Sequence, residues 1–547
     1  MTCLKMFSVT LVTALLSFSA ASETIHLTHI KGYSHDGNQL SQVSELLFDT
    51  DSGLILEPTA ENLKGATVLD GKGRSVLPGL HDAHGHLIDY GLSQLLVNVQ
   101  GIKSLKATLE TTREYASQNS DHPWVLGGGW NHVLWEGKAF PSRYDLDQVS
   151  TTTPIWLQRI DGHAGWANSK ALEIAGITRE SAKGDDLILK DSEGVPTGIL
   201  IDNAMYKIGK HVPSISQAMK VNAMNLAFKD LAAAGLTFVH DAGIDQDSYQ
   251  ILEQMATAGS MPIRIYAMLG SNNPNLETLI GKGHLNIENH LIIRSVKLMI
   301  DGALGSYGAI MHAPYSDNPE MQGAYVQTPK EIEELLDKVV QADFQANVHA
   351  IGDKGNTEVI DLLSRPSMRS SQLRHRVEHA QILRPEDIIK FKDHDLIASM
   401  QPTHATSDMN MAEDRIGAER IKGAYAWQKL IKAGVVVASG SDFPVELINP
   451  FHGLHAAVTR QNHQNQPKGG WYKSEAMSVE QALQSFTINA AFAAHAETYS
   501  GSLDIGKQAD FIFVNQDIFN INPELIWKTE VLETWVGGKQ VFVQQQP

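Results

Sequence analysis

Eight short apolar runs, most ending in a polar or ionisable residue, constrain this chain more than any other feature. They occupy residues 76–86, 236–241, 263–268, 295–299, 345–349, 375–379, 396–401 and 435–442. Stretches of helical periodicity, such as 219–234 and 332–342, fill most of the gaps between them. Alternation of this kind is the pattern of parallel βαβ units, and eight units predict an α/β fold of the (β/α)8, TIM-barrel type. In such a barrel the chemistry sits at the C-terminal strand ends. The polar residues that close the runs are therefore the candidates for function.

The first run reads VLPGLHDAHGH. Residues i and i+2 of a strand share a face, so His84 and His86 would aim two imidazoles at one point. That spacing suits a borderline divalent metal such as zinc, although surface loop histidines would give the same text. Lys297, His349, His379 and Asp442 lie at or near the C-terminal ends of later runs. Each has a bland alternative: a snorkelling lysine, a hydrogen-bonded core histidine, a helix-capping aspartate. Jointly, their shared polarity and barrel order favour a single site.

The composition is globular, 42% hydrophobic and 19% charged. A net charge of −18 with no basic stripe argues against nucleic acid and anionic membrane surfaces as partners. Residues 1–21 read as a secretory signal, with Lys5 before a short apolar core and Ser19-Ala20-Ala21 at the cleavage position. The expected location is the periplasm or the cell exterior, with no membrane association after cleavage. Cys3, the single cysteine, lies in that segment, so the mature chain would offer no disulfide and no thiol nucleophile.

Short β segments and turns fill residues 22–75 and 496–547, and the two ends are expected to pair as one small sheet domain flanking a barrel over 76–495. About 150 residues separate runs one and two, too many for one crossover, and predict an insertion over about 100–230 that walls the pocket. Within it Arg159, Asp161 and His163 form a polar cluster expected to border the substrate, with an internal ion pair as the alternative. Trp130 is a candidate aromatic pocket wall and Trp166 a core residue. Asp301 and His240, just beyond strand ends, are placed to bond the ligands or, for Asp301, the substrate.

The texts VLPGLHDAHGH, RIDGHAGWANSKAL, GLTFVHDAG, VKLMIDGALGS, VHAIGD, VEHAQ and SGSDFPVE together resemble the YtcJ-like, amidohydrolase-3 branch of the amidohydrolase superfamily. The resemblance implies a metal-dependent hydrolase acting on carbon–nitrogen bonds other than peptide bonds, with a (β/α)8 barrel and a small β-sandwich built from both ends of the chain. It implies that His84 and His86 hold one metal, His349 and His379 a second, and that Lys297, carboxylated by CO2, bridges them. Asp442 would complete the first metal and carry a proton from water to the departing amine. Zinc is the expected metal, one or two per chain, with iron, manganese and nickel compatible with the same donors. The implied partner is a small-molecule substrate, and a homodimer is compatible. Two alternatives stay open at this point: an ester or lactone hydrolase on the same residues, and a solute-binding protein that has lost turnover.

Overall fold

The computed structural model describes residues 23–368 and 372–545; the expected signal segment, residues 1–21, lies outside the described residues. Eight parallel strands in chain order form the barrel sheet, with a short ninth strand, Leu285–Ile287, paired antiparallel to the fourth. The eight are β1 (Leu80–Gly85), β2 (Leu236–Ile244), β3 (Arg264–Gly270), β4 (Leu291–Met299), β5 (Gln345–Ala350), β6 (Arg376–His379), β7 (Ile397–Met400) and β8 (Val437–Ser439). The run after β8 returns to β1. Gly85 bridges Phe443 in parallel, the His86 N–H donates to the Phe443 carbonyl over 2.8 Å, and the Asp442 N–H donates to the His84 carbonyl over 2.6 Å. The sheet is a TIM-type barrel.

This seam explains two glycines. A Cβ on Gly85 would lie 2.2 Å from a Phe443 ring carbon, and one on Gly440 would lie 2.5 Å from both the His84 nitrogen and an Asp82 oxygen. Asp82 pins the seam by accepting from the Ser441 N–H and hydroxyl and from the His84 N–H. The strand expected over 435–442 is shorter than its text, because the chain leaves the sheet at Gly440.

Outward strand residues such as Val239, Ile265, Leu298 and Val348 pack under the helical layer. Of its helices, α1 (Gln217–Ala233) is capped by Ser216. The second, α2 (Pro329–Gln341), begins with a Thr328–Glu331 capping box and Pro329 in its first turn. It buries Ile332, Leu336 and Val339, the i, i+4, i+7 stripe that an amphipathic helix turns to a sheet. The lower barrel is narrow, and α3 (Ile488–Ala493) closes it with Ala490, Ala491 and Ala493 against Ala83, Ile397, Ala438 and Phe238.

Strands from both ends of the chain share a six-stranded sheet, in which Ser75–Pro78 pairs antiparallel with Phe511–Val514. A four-stranded sheet from residues 24–70 packs on it through Leu27, Phe48, Phe511, Phe513 and Trp535. Arg264 at the start of β3 joins barrel to terminal sheet by a two-point ion pair with Asp510, at 2.8 and 3.0 Å. Between β1 and β2 the chain builds a separate six-stranded sheet from Val97–Asn98 to Pro196–Ile201.

Candidate metal centre

The barrel mouth gathers His84, His86, Lys297, His349, His379 and Asp442. His84 lies in β1 where its register with β2 slips: Asp82 pairs with Val239 but Gly85 with Asp241, so β1 carries one extra residue. Such a bulge re-aims a side chain. The His84 ring centroid is 5.6 Å from that of His86 and 4.8 Å from that of His379; His349 and His379 are 4.5 Å apart. His379 breaks the strand rule. Its neighbours Arg376 and Glu378 occupy the interior face of β6, so alternation would send His379 outward. Positive φ at His379 (70°) and Ala380 (43°) turns the chain and brings the imidazole back over the barrel. Asp442, three residues beyond β8, also has positive φ, 64°.

Hydrogen bonds on the far side of each ring fix which nitrogen faces inward. His84 Nδ1 is 2.5 Å from Glu378 Oε2, and His379 Nδ1 is 2.8 Å from Gln401 Oε1. Each Nδ1 must donate to these oxygens, which leaves Nε2 lone pairs on both rings. His84 Nε2 accepts from Lys297 Nζ at 2.9 Å. Asp442 Oδ1 lies 3.5 Å from His84 Nε2 and 3.1 Å from His86 Nε2, and its Oδ2 lies 3.6 Å from His404 Nε2. One ligand atom from each of His84, His379 and Asp442 falls within 4.8 Å of the others. The His349 Nε2 is buried without a hydrogen-bond partner.

The electrostatics agree with a cation-binding role. Burial, then the Lys297 charge, pulls His84 down to about 4, and burial also carries His349 and His379 well below the usual imidazole range. These rings stay neutral at pH 7, the form that ligates metals. Burial brings Lys297 down to about 8. Burial would raise Asp442, but His84, His86 and His404 outweigh it and hold the carboxyl far below its ordinary value. Neutral imidazole nitrogens beside an ionised carboxylate are a donor set that suits a divalent cation.

The remaining expected residues separate into wall and scaffold. His163 Nδ1 bonds Asp202 Oδ1 at 2.6 Å, and its ring lies 5.2 Å from that of His349, so the insertion does reach the centre. Asp161 accepts the His163 N–H and pairs with Arg159, which also reaches Asn131 and His132. Arg159 and Asp161 are thus an internal ion pair behind His163. His132, which Arg159 reaches, also lines a cavity of about 360 Å³ with Phe140, Met321, Met411 and Arg415 among its walls. Two expectations are corrected. Trp130 is fully buried in the insertion's core against Trp135 and Trp166, with Nε1 donating to the Leu157 carbonyl, because its strand turns this face to the insertion's own apolar cluster. Asp301 is fully buried and accepts the Ile310, Ile351 and Gly352 N–H groups, so it ties loops together beneath His349 rather than meeting substrate.

Glu378, Gln401, His404 and Asp202 were not singled out by the sequence reading. A signal existed for Glu378: in RVEH, two opposite charges alternate along an otherwise apolar buried strand. Asp202, in the insertion, offers none.

The sequence model of the amidohydrolase family matches residues 67–542. Protein LONG AFTER FAR-RED 3 of Arabidopsis thaliana is 33% identical, over 90% of this chain and 86% of its own. YtcJ of Bacillus subtilis, described as an amidohydrolase, is 31% identical, over 86% of this chain and 89% of its own. The N-substituted formamide deformylase of Arthrobacter pascens is 26% identical over the same shares. An uncharacterised metal-dependent hydrolase of Pyrococcus horikoshii superposes with a TM-score of 0.73 at 25% identity, covering 92% of this chain and 99% of that one.

Proposed function

Because the chain belongs to the amidohydrolase family and is a metal-dependent hydrolase, we propose that it cleaves a carbon–nitrogen bond other than a peptide bond, in a formamide-like, N-acyl or cyclic amide. The observation that carries this reading is the convergence of His84 and His379 Nε2 lone pairs on the ionised Asp442 carboxylate. The deformylase relative supports the amide preference by its activity. His84, His86, His349, His379 and Asp442 would hold one or two divalent cations, zinc by donor chemistry. Lys297, if carboxylated, would add an anionic ligand. A bound cation supplies polarisation of the substrate carbonyl and acidification of water.

The chain's own groups supply the rest. Asp442, ionised at neutral pH, accepts the proton that water loses and returns it to the departing amine. Burial works against a charge on His163, but the Asp202 carboxylate outweighs it and raises its pKa, so the ring can donate to a substrate oxygen. The Arg159–Asp161 pair holds that histidine's backbone in place. We propose further that the chain acts outside the cytoplasm on a small molecule, after loss of residues 1–21.

The test is a zinc-reconstituted mature chain screened against N-substituted formamides, N-acyl amino acids and cyclic amides, with matched esters and lactones, and amine release measured by chromatography. Amine release that disappears on chelation is expected. Turnover of esters alone would overturn the amide assignment, and binding without turnover of any compound would overturn the enzyme reading.

A further inference from the structure

Beneath the metal centre lies a buried charge pair that none of the ligand roles uses. Glu378 and Arg376 sit two residues apart on β6, both fully buried, with their side chains on the barrel's interior face. Arg376 Nε stands 2.9 Å from Glu378 Oε1, a charge contact off the line of a hydrogen bond. The single hydrogen bond of the Glu378 carboxylate among the described residues is the one from His84 Nδ1, at 2.5 Å. Arg376 in turn meets His240 Nδ1 at 3.0 Å and lies over the Tyr266 ring at 5.9 Å.

An isolated carboxylate in such an interior is costly, and apolar residues of the same volume would pack there at no loss of stability. A carboxylate that nonetheless bonds one imidazole does something to that imidazole. Neutral His84 has two tautomers, and the one with hydrogen on Nε2 would present a donor to the cluster instead of a lone pair. An oxygen at Nδ1 selects the other tautomer and fixes the ring plane. The guanidinium neutralises the carboxylate from the opposite side without competing for the oxygen that His84 uses.

We infer that Glu378 is a positioning residue that locks His84 in the tautomer with its Nε2 lone pair aimed into the centre, and that Arg376 is the counter-charge that lets Glu378 do so while buried. The inference rests on the reading of His84 as a metal ligand. Metal retention, and not only turnover, depends on the pair. Carboxylate partners of ligating histidines change affinity about 10- to 100-fold when removed.

The experiment uses the full mature chain, stripped of metal, titrated with Zn²⁺ against a chromophoric chelator, with the unfolding midpoint of the metal-free chain measured in parallel. Glu378→Gln, whose amide can present either an acceptor or a donor to Nδ1, is expected to bind zinc about 10- to 100-fold more weakly. Glu378→Gln leaves Arg376 unpaired, so the double variant R376M/E378L, apolar at both positions, is the decisive control. It is expected to fold at least as stably as wild type without metal, yet still bind zinc weakly. Wild-type zinc affinity in the folded double variant would overturn the positioning role and make the pair a purely structural one. Zinc affinity unchanged in Glu378→Gln would overturn it as well. Failure of the wild-type chain to bind zinc would overturn the metal reading itself, an outcome separable from either of these.

Discussion

Replacing Asp442 by asparagine isolates the proton-carrying step from the fold. The amide matches the carboxylate in shape, and asparagine tolerates the positive φ of 64° found there. The backbone bonds of residue 442, from its N–H to the His84 carbonyl and from the Val445 N–H to its carbonyl, need no side chain. What changes is charge. An oxygen now 3.1 Å from His86 and 3.5 Å from His84 becomes a neutral group that cannot accept a proton at any working pH. Loss of a positioned general base costs about 10²- to 10⁴-fold, or about 3–5 kcal/mol of transition-state stabilisation. The assay is kcat on the best amide from the screen, at saturating zinc, with metal content of the same sample measured. Expected is a fall in kcat of at least a hundredfold with the unfolding midpoint little changed. A kcat within about threefold of wild type, with metal bound, would refute the assignment of the proton to Asp442.

Zinc at 100 times its dissociation constant should stabilise the chain by about 2.7 kcal/mol, so chelation should lower the unfolding midpoint of wild type; a chelator effect that survives in His379→Ala would place the metal elsewhere. His81 is fully buried among Phe238, His240 and Ser500, and burial pulls its pKa down to about 3. The unfolded chain therefore binds a proton that the folded chain refuses between about pH 6.5 and 3, and stability from this residue is full above 6.5 and lost as pH falls. Denaturant titration from pH 7 to 4 should show about 3 kcal/mol more loss in wild type than in His81→Gln, and equal slopes would contradict it. Trp130→Ala should cost about 3–5 kcal/mol from the insertion's core, whereas Trp130→Phe should leave KM unchanged; a raised KM in a stable Trp130→Phe would return this ring to the pocket wall.

Much of the molecule is legible in the sequence. Strand runs, helical periodicity and turn residues are local properties, and chain order equals sheet order in a parallel barrel, so seven of the eight runs translate directly into barrel strands, while the first, 76–86, divides at Gly79 between the terminal sheet (Ser75–Pro78) and β1. The polar residues closing those runs were legible as a group for the same reason. His84, His86, Lys297, His349, His379 and Asp442 share one end of every strand that carries them.

Orientation was not legible. Strand alternation alone would have pointed His379 away from the centre, and only the positive φ at residues 379 and 380 reverses it. Trp130 reads in the sequence as a pocket wall and Trp166 as core, yet both are buried together by sheet packing within the insertion. Asp301 reads in the sequence as a strand-end partner of the ligands or of the substrate, but three backbone N–H groups converge on it instead. Glu378 and His84 are 294 positions apart, and no local pattern announces that they touch. Period and polarity along one strand are set by the sequence there; which side chains meet across the barrel, and hence which tautomer His84 shows to a metal, is decided only when all eight strands have closed.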